Sequence, residues 1–175
     1  MFYIIGLGNP GEEYKESRHN TGRMAVDYIS EKLKAKNVKV IESKEFMNHS
    51  GKAVAKIIKS KKAAQNLIVV YDDIDLPLGT MKISYNRGDG GHNGLASVVK
   101  AVKTREFTRI RIGISPATPK GKVKKPDTEK RVLDFILSKF KPTEIEILKK
   151  VFKKSSEAIA CIVEESREKA MNLYN

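Results

Sequence analysis

Residues 67–75 read Leu-Ile-Val-Val-Tyr-Asp-Asp-Ile-Asp, five consecutive apolar residues followed by three aspartates within four positions. A run that is apolar on both faces is typical of a central strand in a sheet that is covered on both sides. The pattern therefore predicts a buried strand over Leu67–Tyr71, with Asp72 just past its end.

The apolar run Phe2-Tyr3-Ile4-Ile5 predicts a second buried strand, which leads into the glycine-rich segment Gly6-Leu7-Gly8-Asn9-Pro10-Gly11. Ligands of open α/β sheets gather outside the carboxyl ends of the strands. Because Asn9 and Asp72 both follow strand ends, we expect them to share a site. His19 lies eight residues after Gly11, in a polar setting in which an imidazole can titrate near neutral pH.

The rest of the chain alternates strands with amphipathic helices. Helices are predicted from Gly22 to about Ala35, after a Ser50 cap, from about Gly94 to Val102, from a Thr128 cap to Leu137, and from a Thr143–Glu146 capping box to about Leu173. Further strands are predicted over 38–41, 81–85 and 109–114, and residues 12–21 and 115–127 are predicted to be loops. We therefore predict one α/β domain over residues 1–175, a three-layer sandwich with a mixed, mostly parallel, twisted sheet flanked by helices.

Composition narrows the class of protein. The N-terminus has no basic region or cleavage site of a signal peptide, and no run reaches the roughly 18 apolar residues of a membrane span. The single Cys161 excludes an internal disulfide. These features predict a cytoplasmic protein without membrane association. A net charge of +13, from 34 basic and 21 acidic side chains, favours polyanionic partners.

The segment from Gly6 to Gly11 matches the G-x-G-x-x-G pattern of dinucleotide-binding loops. That site requires a helix that begins within the motif and an acidic residue some 20 positions further on. Here Pro10 is followed by about ten residues without helical periodicity, and Glu31 lies inside a predicted helix. The pattern therefore disfavours a dinucleotide site.

Several polar residues at strand ends and loop starts could carry chemistry: Asn9, His19, Asn48, Asp72, Asp73, Asp75, His92 and Asn93. A histidine paired with an aspartate is the minimum for a general base, and an activated water is then the expected nucleophile. The residues alone do not choose between His19 and His92 as the base. A metal site built from the aspartates and histidines is an alternative, although Asp-Asp-x-Asp lacks the spacing of a standard ligand set.

The sequence resembles the bacterial-type peptidyl-tRNA hydrolases in a series of blocks that follow the family's order. The blocks are Gly6 to Gly11, Tyr14, Arg18-His19-Asn20-Thr21-Gly22, Phe46-Met47-Asn48-x-Ser50-Gly51, Asp72-Asp73-Ile74-Asp75-Leu76-Pro77-x-Gly79, Gly90-Gly91-His92-Asn93-Gly94 and Arg109-Ile110-Arg111-Ile112-Gly113-Ile114.

The resemblance implies an enzyme that hydrolyses the ester between a peptide and the 3′ end of tRNA, without a metal or another cofactor. It implies that His19 activates water, that Asp72 holds the imidazole, and that Asn9 sits beside the ester. It also assigns substrate binding to Asn48 and Asn93 and the lining of the groove to Tyr14, Phe46 and Met47. Arg111 and Lys82 would contact tRNA phosphates, and we expect a monomer.

Two departures from the family pattern limit this transfer. Between the first helix and Phe46 the chain is roughly 20 residues shorter than is usual, enough for a strand pair and its turn. Ser84 stands where relatives usually carry a basic residue, and Arg87 or the loop 120–125 is expected to replace that phosphate contact.

Two other functions compete with this interpretation. One is an RNA-binding protein on the same scaffold without activity, although binding alone would not require His19. The other is a metal-dependent phosphoesterase that uses the three aspartates, whose activity EDTA would abolish.

Overall fold

The computed structural model describes residues 1–32 and 37–175. Five strands form one sheet: β1 (Phe2–Gly6), β2 (Val38–Val40), β3 (Leu67–Pro77), β4 (Met81–Tyr85) and β5 (Thr108–Ser115). The helices are α1 (Thr21–Lys32), α2 (Ser50–Ile57), α3 (Lys61–Ala64), α4 (Asn93–Val102), α5 (Glu129–Leu137), α6 (Pro142–Glu164) and α7 (Arg167–Tyr174).

The strand order across the sheet is β2-β1-β3-β5-β4. All neighbouring strands run parallel except β4, which is antiparallel to β5. The predicted α/β class with a mixed, mostly parallel sheet is therefore confirmed. At one edge, β2 is a single three-residue strand, in the region where the chain is shorter than is usual in the resembled family.

Two apolar clusters cover the two faces of the sheet. On one face, α1 and α6 pack against strand residues such as Ile4, Ile68 and Ile112. On the other, α2 and α4 pack against residues such as Ile5 and Val69. The sheet is thus the middle layer of a three-layer sandwich, while α5 contributes no buried residue to either cluster.

A close crossing of two glycines brings the start of α1 onto the sheet. A Cβ at Gly6 would lie 2.2 Å from the carbonyl oxygen of Gly22, and a Cβ at Gly22 would lie 2.2 Å from the carbonyl oxygen of Val70. Only glycine permits this approach. Because His19 lies just before Gly22 and Asp72 just after Val70, the crossing brings these two residues to the same place.

The structure corrects two predicted boundaries. Strand β3 continues to Pro77, so Asp72 lies within the strand, where it pairs with β5. The predicted final helix is two helices: α6 ends at Glu164, and α7 begins after Ser166, whose side chain accepts from the Lys169 backbone N–H. The predicted end of α1, near Ala35, lies outside the described residues.

Two local predictions about helix starts also differ from the structure, and a third is confirmed. Helix α6 begins at Pro142, and in place of a Thr143–Glu146 capping box the carboxylate of Glu144 accepts from the Lys141 backbone N–H over 2.7 Å. Ser50 does not cap α2 with its side chain, because its hydroxyl donates to the carbonyl of Met47. The predicted cap at Thr128 is confirmed by its bond from the Arg131 backbone N–H.

Residues 12–21 contain regular structure where a loop was predicted. They form two short 3-10 turns, Glu12–Tyr14 and Arg18–Asn20, before α1 begins at Thr21. Among the described residues, every helix is too short or too polar to cross a lipid bilayer.

Candidate active site

His19 lies at the centre of the buried 3-10 turn Arg18–Asn20. Its Nδ1 atom is 2.9 Å from Oδ2 of Asp72. A carboxylate only accepts hydrogen bonds, so Nδ1 carries a proton, and in the neutral imidazole Nε2 carries the lone pair. Nε2 makes no hydrogen bond to any described residue, which leaves it available to a substrate or a water.

His92 contacts the other oxygen of the same carboxylate. Its Nε2 lies 3.1 Å from Oδ1 of Asp72, and its Nδ1 accepts a hydrogen bond of 3.2 Å from the backbone N–H of Leu95. The acceptor role of Nδ1 places the proton on Nε2, which therefore donates to Asp72. His92 caps the N-terminus of α4 with the same ring that holds the carboxylate.

The charged forms of Asp72 and His19 stabilise each other. Burial alone would raise the pKa of Asp72, but the imidazoles of His19 and His92 outweigh burial and hold that pKa well below its usual range. Burial alone would lower the pKa of His19, but the charge and the hydrogen bond of Asp72 raise it above its usual 6.5. Asp72 is therefore a carboxylate throughout the physiological pH range, and it stabilises the charged form of His19.

Asn9 is held by its neighbours on three atoms. Its backbone N–H donates to Oδ1 of Asn20 over 2.8 Å, and its carbonyl accepts from Nδ2 of Asn20 over 2.9 Å. Its own Oδ1 accepts from the Met47 backbone N–H over 2.8 Å. This bond fixes the orientation of the side-chain amide, so that Nδ2 is a donor that no described residue uses.

A cavity of about 160 Å³ opens beside the histidines. It is lined by His19, Asp72, His92, Asn93, Arg87, Arg111, Val132 and Ile136, among others. A second cavity of about 480 Å³ is lined by Asn9 and Asn20. The structure therefore brings the predicted His19, Asp72, Asn93 and Arg111 to the first cavity. The predicted Asn9 lies at the second cavity.

Comparison with known proteins gives one consistent answer. The sequence profile of the peptidyl-tRNA hydrolase family matches residues 3–175. The chain belongs to the peptidyl-tRNA hydrolase family.

Relatives and solved structures agree with this assignment over nearly the whole chain. A peptidyl-tRNA hydrolase of Hydrogenobaculum sp. is 36% identical over 189 residues, which cover 98% of this chain and 96% of the relative. That of Fervidobacterium nodosum is 40% identical, with 98% and 94% covered. The crystal structure of the Acinetobacter baumannii peptidyl-tRNA hydrolase superposes with a TM-score of 0.84 at 27% identity, covering 100% of this chain and 94% of that one.

The predicted groove residues of this peptidyl-tRNA hydrolase lie around Asn9. The rings of Tyr14 and Phe46 are in edge-to-face contact, with centroids 6.4 Å apart, and Phe46 is 53% exposed. Met47 is buried, and its backbone N–H is the partner of Asn9. Asn48 is exposed in the same 3-10 turn as Met47. An exposed aromatic pair beside a fixed amide is suited to contact with an unpaired base or a peptide side chain.

The predicted phosphate contacts of the hydrolase lie on the neighbouring strands β4 and β5. Arg111 pairs with Lys82 across the two strands, and its Nε donates to Oδ2 of Asp73 over 2.7 Å. Both arginines of β5 are shielded from solvent: Arg111 is 8% exposed and Arg109 is fully buried. The loop that contains Gly88 lies over Arg109, which donates to the carbonyl of Gly88.

Arg87 or a lysine of the loop 120–125 was predicted to make the phosphate contact that Ser84 cannot make. Arg87 lines the same cavity as His19. In the loop, Lys125 is bound to Asp75 over 2.5 Å. This geometry favours Arg87 as the replacement, because it lines the cavity beside His19.

Among the described residues, the side chains of this hydrolase that come closest to a metal-ligand set are His19, Asp72 and His92, whose ligand atoms lie within 4.8 Å of one another. A metal on Nε2 of His92 would need a lone pair there. Because Nδ1 accepts from Leu95, Nε2 carries a proton instead. The donor set fits a hydrogen-bonded triad better than a metal site.

Three residues of the site, His92, Arg18 and Asn20, received no definite role from the sequence. His92 was one of two candidate bases, and the structure makes it the second partner of Asp72. Arg18 and Asn20 received no role, although they flank His19 and bond to Glu144 and Asn9. A polar residue next to a predicted catalytic histidine was the available signal, but the sequence does not say which partner it would meet.

Proposed function

We propose that the enzyme hydrolyses peptidyl-tRNA with His19 as the general base for an attacking water. The observation that carries this proposal is the bond of His19 Nδ1 to Asp72, which leaves Nε2 unprotonated beside a cavity. This is the arrangement that a general base requires: an oriented imidazole with a carboxylate to stabilise the cation.

The reaction then follows in two steps. Nε2 of His19 takes a proton from water while the water oxygen attacks the carbonyl carbon of the ester. The tetrahedral intermediate breaks its bond to the ribose oxygen, and the imidazolium of His19 returns the proton to that oxygen. The products are a peptide with a free carboxyl group and a tRNA with a free terminal hydroxyl. Asp72 stabilises the imidazolium between the steps.

Asn9 supplies a hydrogen-bond donor for this reaction. Its Oδ1 is occupied by Met47, so its Nδ2 can donate to the carbonyl oxygen of the ester. Charge develops on that oxygen in the transition state, and a donor whose orientation is already fixed stabilises it without reorganisation. Asn9 is thus proposed to act on the ester itself and not only on binding.

The remaining predicted residues are proposed to bind the two parts of the substrate. Asn48, Asn93, Tyr14, Phe46 and Met47 take the peptide and the 3′ end of tRNA. Lys82 and Arg111 take phosphates near the acceptor end, together with Arg87. The net charge of +13 supports binding to the tRNA phosphates, whose affinity falls steeply with salt. The same proposal includes a monomer that acts in the cytoplasm, where translation supplies the substrate.

A reaction without a metal is also part of the proposal. Two of the three neighbouring aspartates already have a cation, Asp73 from Arg111 and Asp75 from Lys125. Asp72 is bonded by two imidazole N–H groups. This pairing supports a site in which water is activated by His19 alone.

The test is hydrolysis of N-acetylaminoacyl-tRNA with and without EDTA, at two salt concentrations. The proposal predicts that free tRNA is released at a rate that EDTA does not change. High salt should slow the reaction by raising KM. Tight tRNA binding without turnover would favour the inactive RNA-binding protein. Loss of turnover in EDTA, restored by a divalent metal, would favour the metal-dependent enzyme.

A further inference from the structure

Arg18 is a buried arginine directly before His19, with 7% of its surface exposed. Its Nη2 lies 3.0 and 2.9 Å from the two carboxylate oxygens of Glu144. Its Nη1 donates to the carbonyl of Ile114 over 3.3 Å, and its Nε donates to the hydroxyl of Ser138 over 3.2 Å. All three nitrogens of the guanidinium are therefore fixed by partners far along the chain.

Two aromatic rings and the backbone complete this attachment. The guanidinium carbon of Arg18 lies 4.7 Å from the ring centroid of Phe135 and 4.6 Å from that of Phe140. The backbone N–H of Arg18 donates to the carbonyl of Ser138, and the backbone N–H of Phe140 donates to that of Glu16. The turn that carries His19 is thus tied to the junction of α5 and α6.

The same junction holds one wall of the cavity. Val132 and Ile136 of α5 line the cavity beside His19, yet α5 has no buried residue of its own. Its Phe135 packs on Arg18. Contact with Arg18 is therefore one of the interactions that hold α5 over the site, beside the packing of Phe135 and Ile136 on the apolar cluster.

Arg18 does not line the cavity and does not contact Asp72, so direct chemistry is not its role. The three residues of the turn have separate partners: Arg18 binds Glu144, His19 binds Asp72, and Asn20 binds Asn9. The Arg18–Glu144 ion pair is largely shielded from solvent, with 9% and 20% of the two side chains exposed, and such a pair is costly to break from one side.

We infer that Arg18 and Glu144 form a positioning pair. The pair holds the turn Arg18–Asn20 and α5 in fixed relative positions, so that His19 can bind Asp72 and reach the ester at the same time. This inference rests on the proposed function, since it concerns the same base. It predicts that loosening the pair slows the chemical step more than it weakens substrate binding.

The experiment uses Glu144→Gln, which keeps the shape and removes the charge, and Arg18→Lys as a second variant. The matched control is Asp127→Asn, because the Arg131–Asp127 ion pair is exposed on the approach to α5. Four quantities are measured for each protein: kcat and KM with N-acetylaminoacyl-tRNA, the thermal midpoint, and the NMR titration midpoint of the His19 ring.

For Glu144→Gln we expect kcat to fall at least about tenfold, since a misplacement of 1 Å can cost about a hundredfold. We expect KM to stay within about twofold, as when an interaction of the transition state alone is lost. The titration midpoint of His19 should move to lower pH, because weaker contact with Asp72 leaves burial, which lowers the pKa, less opposed. Asp127→Asn should behave as wild type.

A folded Glu144→Gln with unchanged kcat and unchanged His19 midpoint would overturn the inference. So would a loss of activity that follows the unfolded fraction alone, with the midpoint of the folded protein unchanged. A wild-type protein that does not hydrolyse the substrate would instead refute the proposed function, and the His19 titration would still test the positioning.

Discussion

Nε2 of His92 lies 3.1 Å from Oδ1 of Asp72, the carboxylate oxygen that His19 does not use. Each oxygen of Asp72 thus receives one imidazole N–H, and the carboxylate, which is 3% exposed, is fixed in orientation. The second imidazole holds the group that orients the first. His92 therefore supports the proposed base without sharing its chemistry.

Replacing Asp72 by Asn should lower kcat by orders of magnitude, as the same change does in serine-protease triads, where it costs about 10⁴-fold. Without the carboxylate, the imidazole loses its orientation and its counter-charge. The acid limb of the kcat/KM profile reports the pKa of the base, because His19 must be neutral to accept a proton. Asp72 raises that pKa, so the limb of Asp72→Asn should move to lower pH. A wild-type profile in the folded variant would refute the pairing.

Replacing His92 by Phe should keep the ring against Tyr71, whose centroid lies 5.0 Å away, and remove the bond to Asp72. A hydrogen bond to a buried charge contributes about 1.5–3 kcal/mol, so the free energy of unfolding should fall by about that amount. Activity should fall less than in Asp72→Asn, because the bond of His19 to Asp72 is kept. Urea unfolding and steady-state kinetics measure the two effects.

The matched control for this variant is His49→Phe, since His49 is exposed and is the third histidine of the chain. If His92→Phe matched this control in stability and rate, His92 would have no supporting role.

Replacing Asn9 by Asp should separate the two functions of its amide. The new carboxylate can still accept from the Met47 N–H, so the fold should persist. Its second oxygen would face the ester carbonyl as an acceptor in place of a donor and would repel the developing negative charge. We expect a large loss of kcat with an unchanged thermal midpoint. A variant that retained the wild-type kcat would show that Nδ2 does not act on the ester.

Replacing Lys82 by Ala should weaken tRNA binding and reduce the slope of log affinity against log salt by about one. Lys82 is exposed in the middle of the edge strand β4, beside Arg111. The matched control is Lys39→Ala, since Lys39 is exposed in the middle of β2, at the opposite edge of the sheet. Filter binding across a salt series measures both. Equal slopes for the two variants would place the phosphate contact elsewhere.

The part of the site that follows strand ends could be predicted from the sequence. The strand pattern placed Asn9 and Asp72 at one edge of the sheet, and the structure joins both regions through the turn Arg18–Asn20. The sequence could not show the bond between Arg18 and Glu144, because 126 residues separate them and no periodicity links them. Long-range pairs of this kind depend on how separate elements pack in three dimensions.

The errors in the fold have local causes. Strand β3 continues past Tyr71 because Asp72 and Asp73 pair with β5, and the polar side chains hid that continuation. The break between α6 and α7 contains neither glycine nor proline, and Ser166 was its one cap signal.

The most direct test of His19 as the general base is single-turnover hydrolysis of N-acetylaminoacyl-tRNA by His19→Ala, beside wild type and a His49→Ala control. The tRNA affinity should stay close to wild type, because Nε2 makes no hydrogen bond to a described residue, whereas the thermal midpoint should fall, because the bond of Nδ1 to the buried carboxylate of Asp72 is lost. General bases contribute about 10²–10⁴-fold to the rate, so the rate of His19→Ala should fall by about that factor. The control should keep the wild-type rate. A folded His19→Ala that hydrolyses the substrate at the wild-type rate would contradict the account.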